Sequence, residues 1–262
     1  MWFLLVVSVL AKMPYGDDPA AVEAYINGLR AQEISYVERV ATIARDGVGT
    51  PYHDGPLGEG PDGAHDTDPL IDLSRVDCVT YIEQCLALAA GTSYADTVEK
   101  LQRIRYAGGA IDFETRNHFM MADWVENNRW CIDRTAALGL KTTRLTRTIS
   151  KRDFFERVKA PGLGGDTADR DVTISYIPID AAGAAAGAIK SPAIVIFIGK
   201  IDWLFALHCG IFVPGEGGGL LYHASSGAGE VVGVDLAEYA ASQSKRYLGF
   251  SVYEITPPPF TK

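Results

Sequence analysis

Cysteine is scarce in this sequence: four among 262 residues, at Cys78, Cys85, Cys131 and Cys209, none of them in a CxxC pair. A disulfide scaffold is thereby excluded, and the commonest signature of a structural zinc site is missing. Basic residues are in deficit, 24 against 33 acidic ones, and the formal charge of -9 has the wrong sign for a surface that neutralises phosphates. Nucleic acid is therefore not expected as a partner. Long apolar runs are lacking as well. Trp2–Ala11 is apolar over only about ten residues, half of the roughly 20 that a membrane-crossing helix needs, so no transmembrane span is expected. The run has the length of a secretory h-region and ends on small Ala11, yet no basic residue precedes it. The other reading is an amphipathic or buried N-terminal segment, and both stay open.

What is present is apolar material for a sizeable core, 47 % of the chain, enough for one large domain or for a domain with a small appendage. Residues 1–17 are set apart as a signal-like or disordered segment, and 18–262 as a single domain. Apolar residues recur at helical spacing over 18–47 as a pair of helices ending at Gly47 and Gly49, and a Gly/Asp/Pro-rich loop runs to Asp68. Further helices are expected from Val98 to Ile104, around Met121 to Val125, over 151–159 and, in an Ala-rich patch, over 181–189. Weak alternation over 141–150 and again over 172–177 precedes four strand-like runs at 193–198, 206–213, 220–225 and 230–234, with a last one at 250–255. Helices first and strands later predict an α+β fold with an antiparallel sheet.

The stretch that carries chemistry is Arg75–Gly91. Asp77 reads as a helix cap, Cys78 as the first helical residue, and Val79, Ile82, Leu86 and Ala89 as one buried side, with Gly91 as the stop. A thiol in the first helical turn faces unsatisfied N–H groups and the positive end of the macrodipole, both of which favour the thiolate. Cys85 lies deeper on the same helix and is expected to be core. Pro214–Gly219 can only be a turn, so residues 206–225 form a hairpin. Pairing Val213 with Leu220 sets Phe212 against Leu221 and Gly210 against His223. It also puts His208 diagonally from His223 on one face, with Cys209 and Tyr222 on the other. A helix-start cysteine with two histidines on one sheet face has the parts of a cysteine hydrolase. Two alternatives stand beside it: an inert buried thiol with structural histidines, and a metal site from His118, His208 and His223, for which no HExxH pair is present.

The segments GTPY (49–52), VDCVTYIEQCLALA (76–89), RIRYAGG (103–109), TRNHFMMADWVENN (115–128), YIP (176–178), HCGIF (208–212) and YHASS (222–226) resemble, in that order, the bacterial N-acetylmuramoyl-L-alanine amidase-like family. That family is a branch of the NlpC-type papain-like cell-wall hydrolases. The resemblance implies a papain-like fold, with N-terminal helices packed on an antiparallel sheet and a family-specific insertion after the nucleophile helix. It implies Cys78 as nucleophile, His208 as base and His223 as the orienting third residue, with no cofactor. Tyr52 matches a tyrosine lining the nucleophile's pocket, and Arg105, Tyr106, Arg116 and His118 fall in the insertion, where they are expected to contact substrate. Arg105 with Asp123 as a structural ion pair, and Trp124 as core, are the plainer readings of that stretch. Two motifs depart from the family pattern: TRNHF around Arg116 and His118, and Ser191-Pro192 ahead of the strand that precedes the base.

The expected function is hydrolysis of an amide in peptidoglycan or muropeptide fragments, between N-acetylmuramic acid and L-alanine, by a protein that is secreted or resides in the cell envelope. The alternatives are a peptide-stem endopeptidase on the same three residues and a non-catalytic wall-binding domain.

Overall fold

The computed structural model describes residues 18–165 and 167–261, so the reading of residues 1–17 lies outside the described residues. Helix α1 (Pro19–Arg30) begins at Asp18, whose carboxylate accepts from the Ala20 N–H, with proline at the first helical position. Helix α2 (Tyr36–Asp46) begins on a reciprocal Ser35–Glu38 capping box. Each turns an apolar stripe inward: Val22, Tyr25, Ile26 and Leu29 in α1, and Val40, Ala41, Ile43 and Ala44 in α2. Helix α3 (Cys78–Ala90) and helix α4 (Tyr94–Arg105) follow, the latter capped by Ser93.

The expectation for α3 was one buried side. Instead every residue from Thr80 to Ala90 is buried, because the helix is enclosed by α2, α4 and the sheet at once. A helix that is buried all round needs its few polar side chains satisfied from within. Glu83 has such partners in Trp124 and Arg105. After α4 the chain makes a π-helical turn, Met120–Trp124, that runs into the short α5 (Val125–Asn127). The remaining helices are short: α6 (Lys151–Arg157), α7 (Ala182–Ala188) and α8 (Leu236–Ser242).

Among the described residues eight strands form one antiparallel sheet: β1 (Ile132–Asp133), β2 (Thr143–Ile149), β3 (Arg170–Pro178), β4 (Ala193–Gly199), β5 (Ala206–Val213), β6 (Leu220–Ser225), β7 (Glu230–Val234) and β8 (Tyr247–Glu254). Their order is β2-β3-β8-β4-β5-β6-β7, and β1 pairs with β8. Strand β4 sits between β8 and β5 and is buried at every residue, which is why its sequence is a continuous apolar run and not an alternation. One face of the sheet packs on α1 to α4 through Ile194, Ile196, Ile198, Cys209 and Ile211. The other is covered by α7 and α8 through Val195, Phe197, Phe212, Leu221, Ala185 and Leu236. The second cover differs from the expected layering, since α8 was not read from the sequence. Its signal was there in Asp235, whose side chain accepts from the Glu238 N–H at cap spacing. Among the described residues no helix is long and apolar enough to cross a membrane.

Three local features position the site. The register of β5 on β6 is the expected one, with Phe212 against Leu221 and Val213 against Leu220. Between Phe197 and Ile198 the β4–β5 ladder shifts by one residue, pairing Phe197 with His208 and Ile198 with Ala206, so Leu207 bulges out of the ladder beside His208. Leu207 folds across Gly199, where an added Cβ would lie 2.2 Å from Leu207 Cδ1. Finally, residues 49–52 pair with the start of β7 and then with Val76. The Tyr52 N–H donates to Gly229 O (2.8 Å) and the Val76 N–H to Pro51 O (2.9 Å), which fixes the approach to α3.

Gly210 sets the closeness of β5 to β6, since a Cβ there would stand 2.8 Å from Tyr222 O and 2.9 Å from His223 Cβ. Gly210→Ala is expected to destabilise the protein by about 1–3 kcal/mol through overpacking, read as a lower urea midpoint at unchanged slope. An unchanged midpoint would mean that the hairpin takes up a methyl group without moving.

Candidate active site

Asp77 caps α3 completely. Its Oδ1 accepts from the Val79 N–H (2.9 Å) and the Thr80 N–H (2.7 Å), and the Thr80 hydroxyl in turn accepts from the Asp77 N–H at 2.9 Å. With Tyr81 N–H on Asp77 O (3.0 Å), the first-turn donor that the cap leaves over is the N–H of Cys78 itself. The Cys78 side chain is partly exposed. Its thiol is held well below the usual range, first by a hydrogen bond from the Cys209 side chain and then by hydrogen bonding and charge from His208, with the Cys209 backbone N–H adding to both, against the opposing effect of burial. The Cys209 S–H also reaches Cys78 O at 3.3 Å. Cys85 and Cys131 are pushed up by burial in apolar surroundings.

The expectation that His208 and His223 share a face holds: His208 Nε2 and His223 Nδ1 are 2.8 Å apart, with the rings edge-on. Burial, together with the charge of His208, lowers His223 to about 3, so it is neutral at physiological pH. A neutral His223 that accepts at Nδ1 makes His208 the donor at Nε2 and frees His208 Nδ1 for a second partner. Tyr239 of α8 backs both rings, 5.8 Å from His208 and 4.7 Å from His223 between centroids. Burial also raises Asp77 to about 6, with the neighbouring Cys78 charge adding to the rise.

Cys78, His208 and Cys209 open onto a cavity of about 260 Å³, walled by Leu57, Thr80, Glu83, Arg105, Arg116, Asn117, His118, Leu204 and Leu207 among others. The expected substrate contacts divide here. Arg116 and His118 do line the cavity. Arg116 is nevertheless tied to protein carboxylates, Glu59 at 2.5 Å and Asp66 at 2.7 Å. His118 is lowered to about 3 by burial among Phe113, Phe154 and Phe155, and its Nε2 donates to Phe113 O at 2.6 Å. Arg105 reaches the cavity but directs its donors to Leu57 O (3.0 Å), Gly58 O (3.3 Å) and Glu83 (3.4 Å).

Tyr106 is a correction. It is fully buried behind the wall, its one hydroxyl hydrogen shared between Gly58 O and Glu59 Oε1, both at 3.0 Å, because the turn at Gly108-Gly109 lets the chain fold back over it. The expected Arg105–Asp123 pair is also replaced. Arg105 takes Glu83, and Asp123 takes Arg170. Trp124 is core, as expected, with its Nε1–H on Glu83 at 3.0 Å. Tyr52 is not among the residues walling the cavity. Its phenol is pushed up to about 12, first by burial and then by the charges of Asp54 and Cys78, which places it within electrostatic reach of the thiolate. Among the described residues no group of three or more His, Cys, Asp or Glu is arranged to hold a metal ion. Sequence reasoning missed two site residues, Glu83 and Cys209. A carboxylate inside an otherwise apolar helix was the available signal for the first. A thiol on a strand face otherwise built from isoleucine and valine was the signal for the second.

The mixed helical and antiparallel architecture around this cleft is that of amidase-like structures. The chain belongs to the AmiA-like family, described as N-acetylmuramoyl-L-alanine amidase-like, whose model matches residues 42–248. It is similar to crystal structures of protein LPG0564 from Legionella pneumophila strain Philadelphia 1, a DUF1460 protein, at 22 % identity over 92 % of this chain and 95 % of that one, with a TM-score of 0.82. It is also similar to an N-acetylmuramoyl-L-alanine amidase from Bacteroides uniformis, at 25 % identity over 84 % of this chain and 99 % of that one, with a TM-score of 0.70. No curated protein matches the chain.

Two measurements follow from the electrostatics. Iodoacetamide at mildly acidic pH is expected to alkylate Cys78 and to leave Cys85 and Cys131 untouched; equal labelling of the three would contradict the depressed thiol. His118 and His223 both have folded values of about 3 against 6.5 unfolded. The unfolded chain therefore binds protons in that interval that the folded one refuses, and stability falls as pH drops from about 6.5 toward 3. His118→Gln keeps a donor for Phe113 O and should flatten that fall, as read from urea midpoints across the interval.

Proposed function

We propose that the protein is a cysteine amidase of peptidoglycan or its muropeptide fragments, cutting the amide between the lactyl group of N-acetylmuramic acid and L-alanine. Cys78 is the nucleophile, His208 the general base and acid, and His223 the residue that orients His208. The observation that carries this reading is the His208 Nε2–His223 Nδ1 bond of 2.8 Å, on an imidazole that borders the same cavity as the helix-start thiol. A neutral, buried acceptor in the third position fixes the base's tautomer, which is the task of that member in such triads. A family described as N-acetylmuramoyl-L-alanine amidase-like supports the bond and substrate class.

In this mechanism the Cys78 thiolate attacks the lactyl carbonyl, and the negative charge moves to the carbonyl oxygen. The Cys78 N–H, left free by the Asp77 cap, is the donor to that oxygen. Imidazolium His208 gives its proton to the departing L-alanine amine, leaving a thioester. Water then loses a proton to His208 as it attacks, and the sugar acid is released. These steps use side chains and backbone alone. Selectivity falls to the walls, where the Arg116 guanidinium and the neutral His118 face the cavity beside the Glu83–Arg105 pair. A cell-wall substrate implies a secreted or envelope location.

Mass spectrometry of muropeptides after digestion tests the bond. Peptides beginning with L-alanine, together with peptide-free muramyl sugar, are the expected products. Release of stem fragments with L-alanine still on the sugar would make the protein an endopeptidase, and tight wall binding without any product would make it a binding domain. Cys78→Ala should abolish turnover. His223→Ala should lower kcat by roughly 10²–10⁴-fold by freeing the His208 tautomer.

A further inference from the structure

Cys209 borders the cleft and takes no step in the mechanism above. It sits on β5 directly after His208, but on the opposite face, packed with Ile196 and Ile211 against α3. Packing alone is served at the neighbouring positions of that face by isoleucine and valine. A thiol there donates to Cys78 O at 3.3 Å, at the first residue of α3. Both cysteines line one cavity, open enough to admit a small peroxide, with no other cysteine on its wall, Cys85 and Cys131 being buried elsewhere in the core.

We propose that Cys209 is a resolving thiol: when a hydroperoxide oxidises Cys78, Cys209 closes a Cys78–Cys209 disulfide that shuts the enzyme off reversibly and shields the nucleophile from irreversible oxidation. The proposal rests on the reading of Cys78 as a reactive thiolate. In the first step the Cys78 sulfur attacks the peroxide. An S–O bond forms and the O–O bond breaks, and the departing alkoxide or hydroxide takes the His208 proton and leaves as alcohol or water. The sulfur is oxidised to a sulfenic acid and the peroxide is reduced. In the second step the Cys209 sulfur attacks that sulfenic sulfur. The S–S bond forms, the S–O bond breaks, and the leaving oxygen carries away the Cys209 proton as water.

The order of events is built into the pair. While Cys78 is a thiolate, donation to it, burial and its charge together keep the Cys209 thiol protonated and a poor nucleophile. Oxidation of Cys78 to the neutral sulfenic acid removes the first and third of these influences at the moment attack is wanted. Rotation of the two side chains to bring the sulfurs to a bond of about 2.05 Å completes the closure.

The test uses the full-length protein, reduced and then treated with a few equivalents of hydrogen peroxide, followed by non-reducing peptide mapping and muropeptide digestion before and after dithiothreitol. The expected result is a peptide pair linked through Cys78 and Cys209, about 2 Da lighter than the reduced pair, with activity lost in step with its formation and restored by dithiothreitol. In Cys209→Ser the loss should become irreversible, with Cys78 recovered as sulfinic or sulfonic acid. Wild-type Cys78 recovered as sulfinic acid with no link to Cys209 overturns the proposal. If Cys209→Ser does not fold, the wild-type map alone decides. A Cys78 that neither oxidises nor alkylates fails the nucleophile reading instead, whereas a clean disulfide in a protein that releases no muropeptide product leaves the switch standing and removes the amidase assignment.

Discussion

The meeting of the α3 N-terminus with residues 208–209 of β5 is the contact on which the rest of the site depends. Two consecutive residues of β5, His208 and Cys209, border one cavity with Cys78, and the Cys209 S–H reaches Cys78 O at 3.3 Å. Such convergence requires that a helix end and a strand be placed independently and then brought into register. The helix end is placed by the Asp77 cap and by the pairing of residues 51–53 with Val76. The strand is placed by β4 on one side and β6 on the other. Behind them the neutral His223 holds the His208 ring in place through a 2.8 Å bond.

The cleft wall follows a different logic, in which buried charges staple a glycine-rich loop. Residues 57–59 contribute backbone carbonyls and one carboxylate, and Arg105, Tyr106 and Arg116 supply the donors. A loop with few apolar side chains cannot hold itself by burial. Arginine forks that satisfy several acceptors at once do it instead. Breaking such a buried pair by removing one partner leaves an uncompensated charge, so these arginines are expected to matter for the wall's shape before they matter for a ligand. Glu83 shows the strain of that solution. Burial raises it to about 7, and Arg105 draws it back only in part.

Much of this was legible from local sequence. The Asp77–Cys78 helix start, the hairpin register and the shared face of the two histidines follow from capping chemistry and from a period of two, both properties of neighbours along the chain. The cover of the second sheet face by α8 was not read, because a seven-residue helix with two buried positions has too little periodicity to stand out. Side-chain partnerships across the fold were illegible for a deeper reason. Arg105 faces acceptors 22 to 48 positions away, and Arg116 carboxylates 50 and 57 away, and no local pattern encodes which distant carbonyl or carboxylate a guanidinium will find. The aromatic seat of His118 on Phe113, Phe154 and Phe155 likewise joins two segments that only the tertiary fold brings together.

The bulge at Leu207 separates two counting systems. Upstream of it, the connection from β4 is an irregular loop in which the number of residues fixes no side-chain direction. Downstream, alternation along β5 is locked to β6 by the close approach at Gly210. An extra or missing residue in the 200–205 loop would therefore be absorbed ahead of the bulge, and His208 would keep its facing. Loop length at the mouth of the cleft is thus uncoupled from the direction of the His208 side chain, with the bulge as the joint between a segment that tolerates insertion and one that does not.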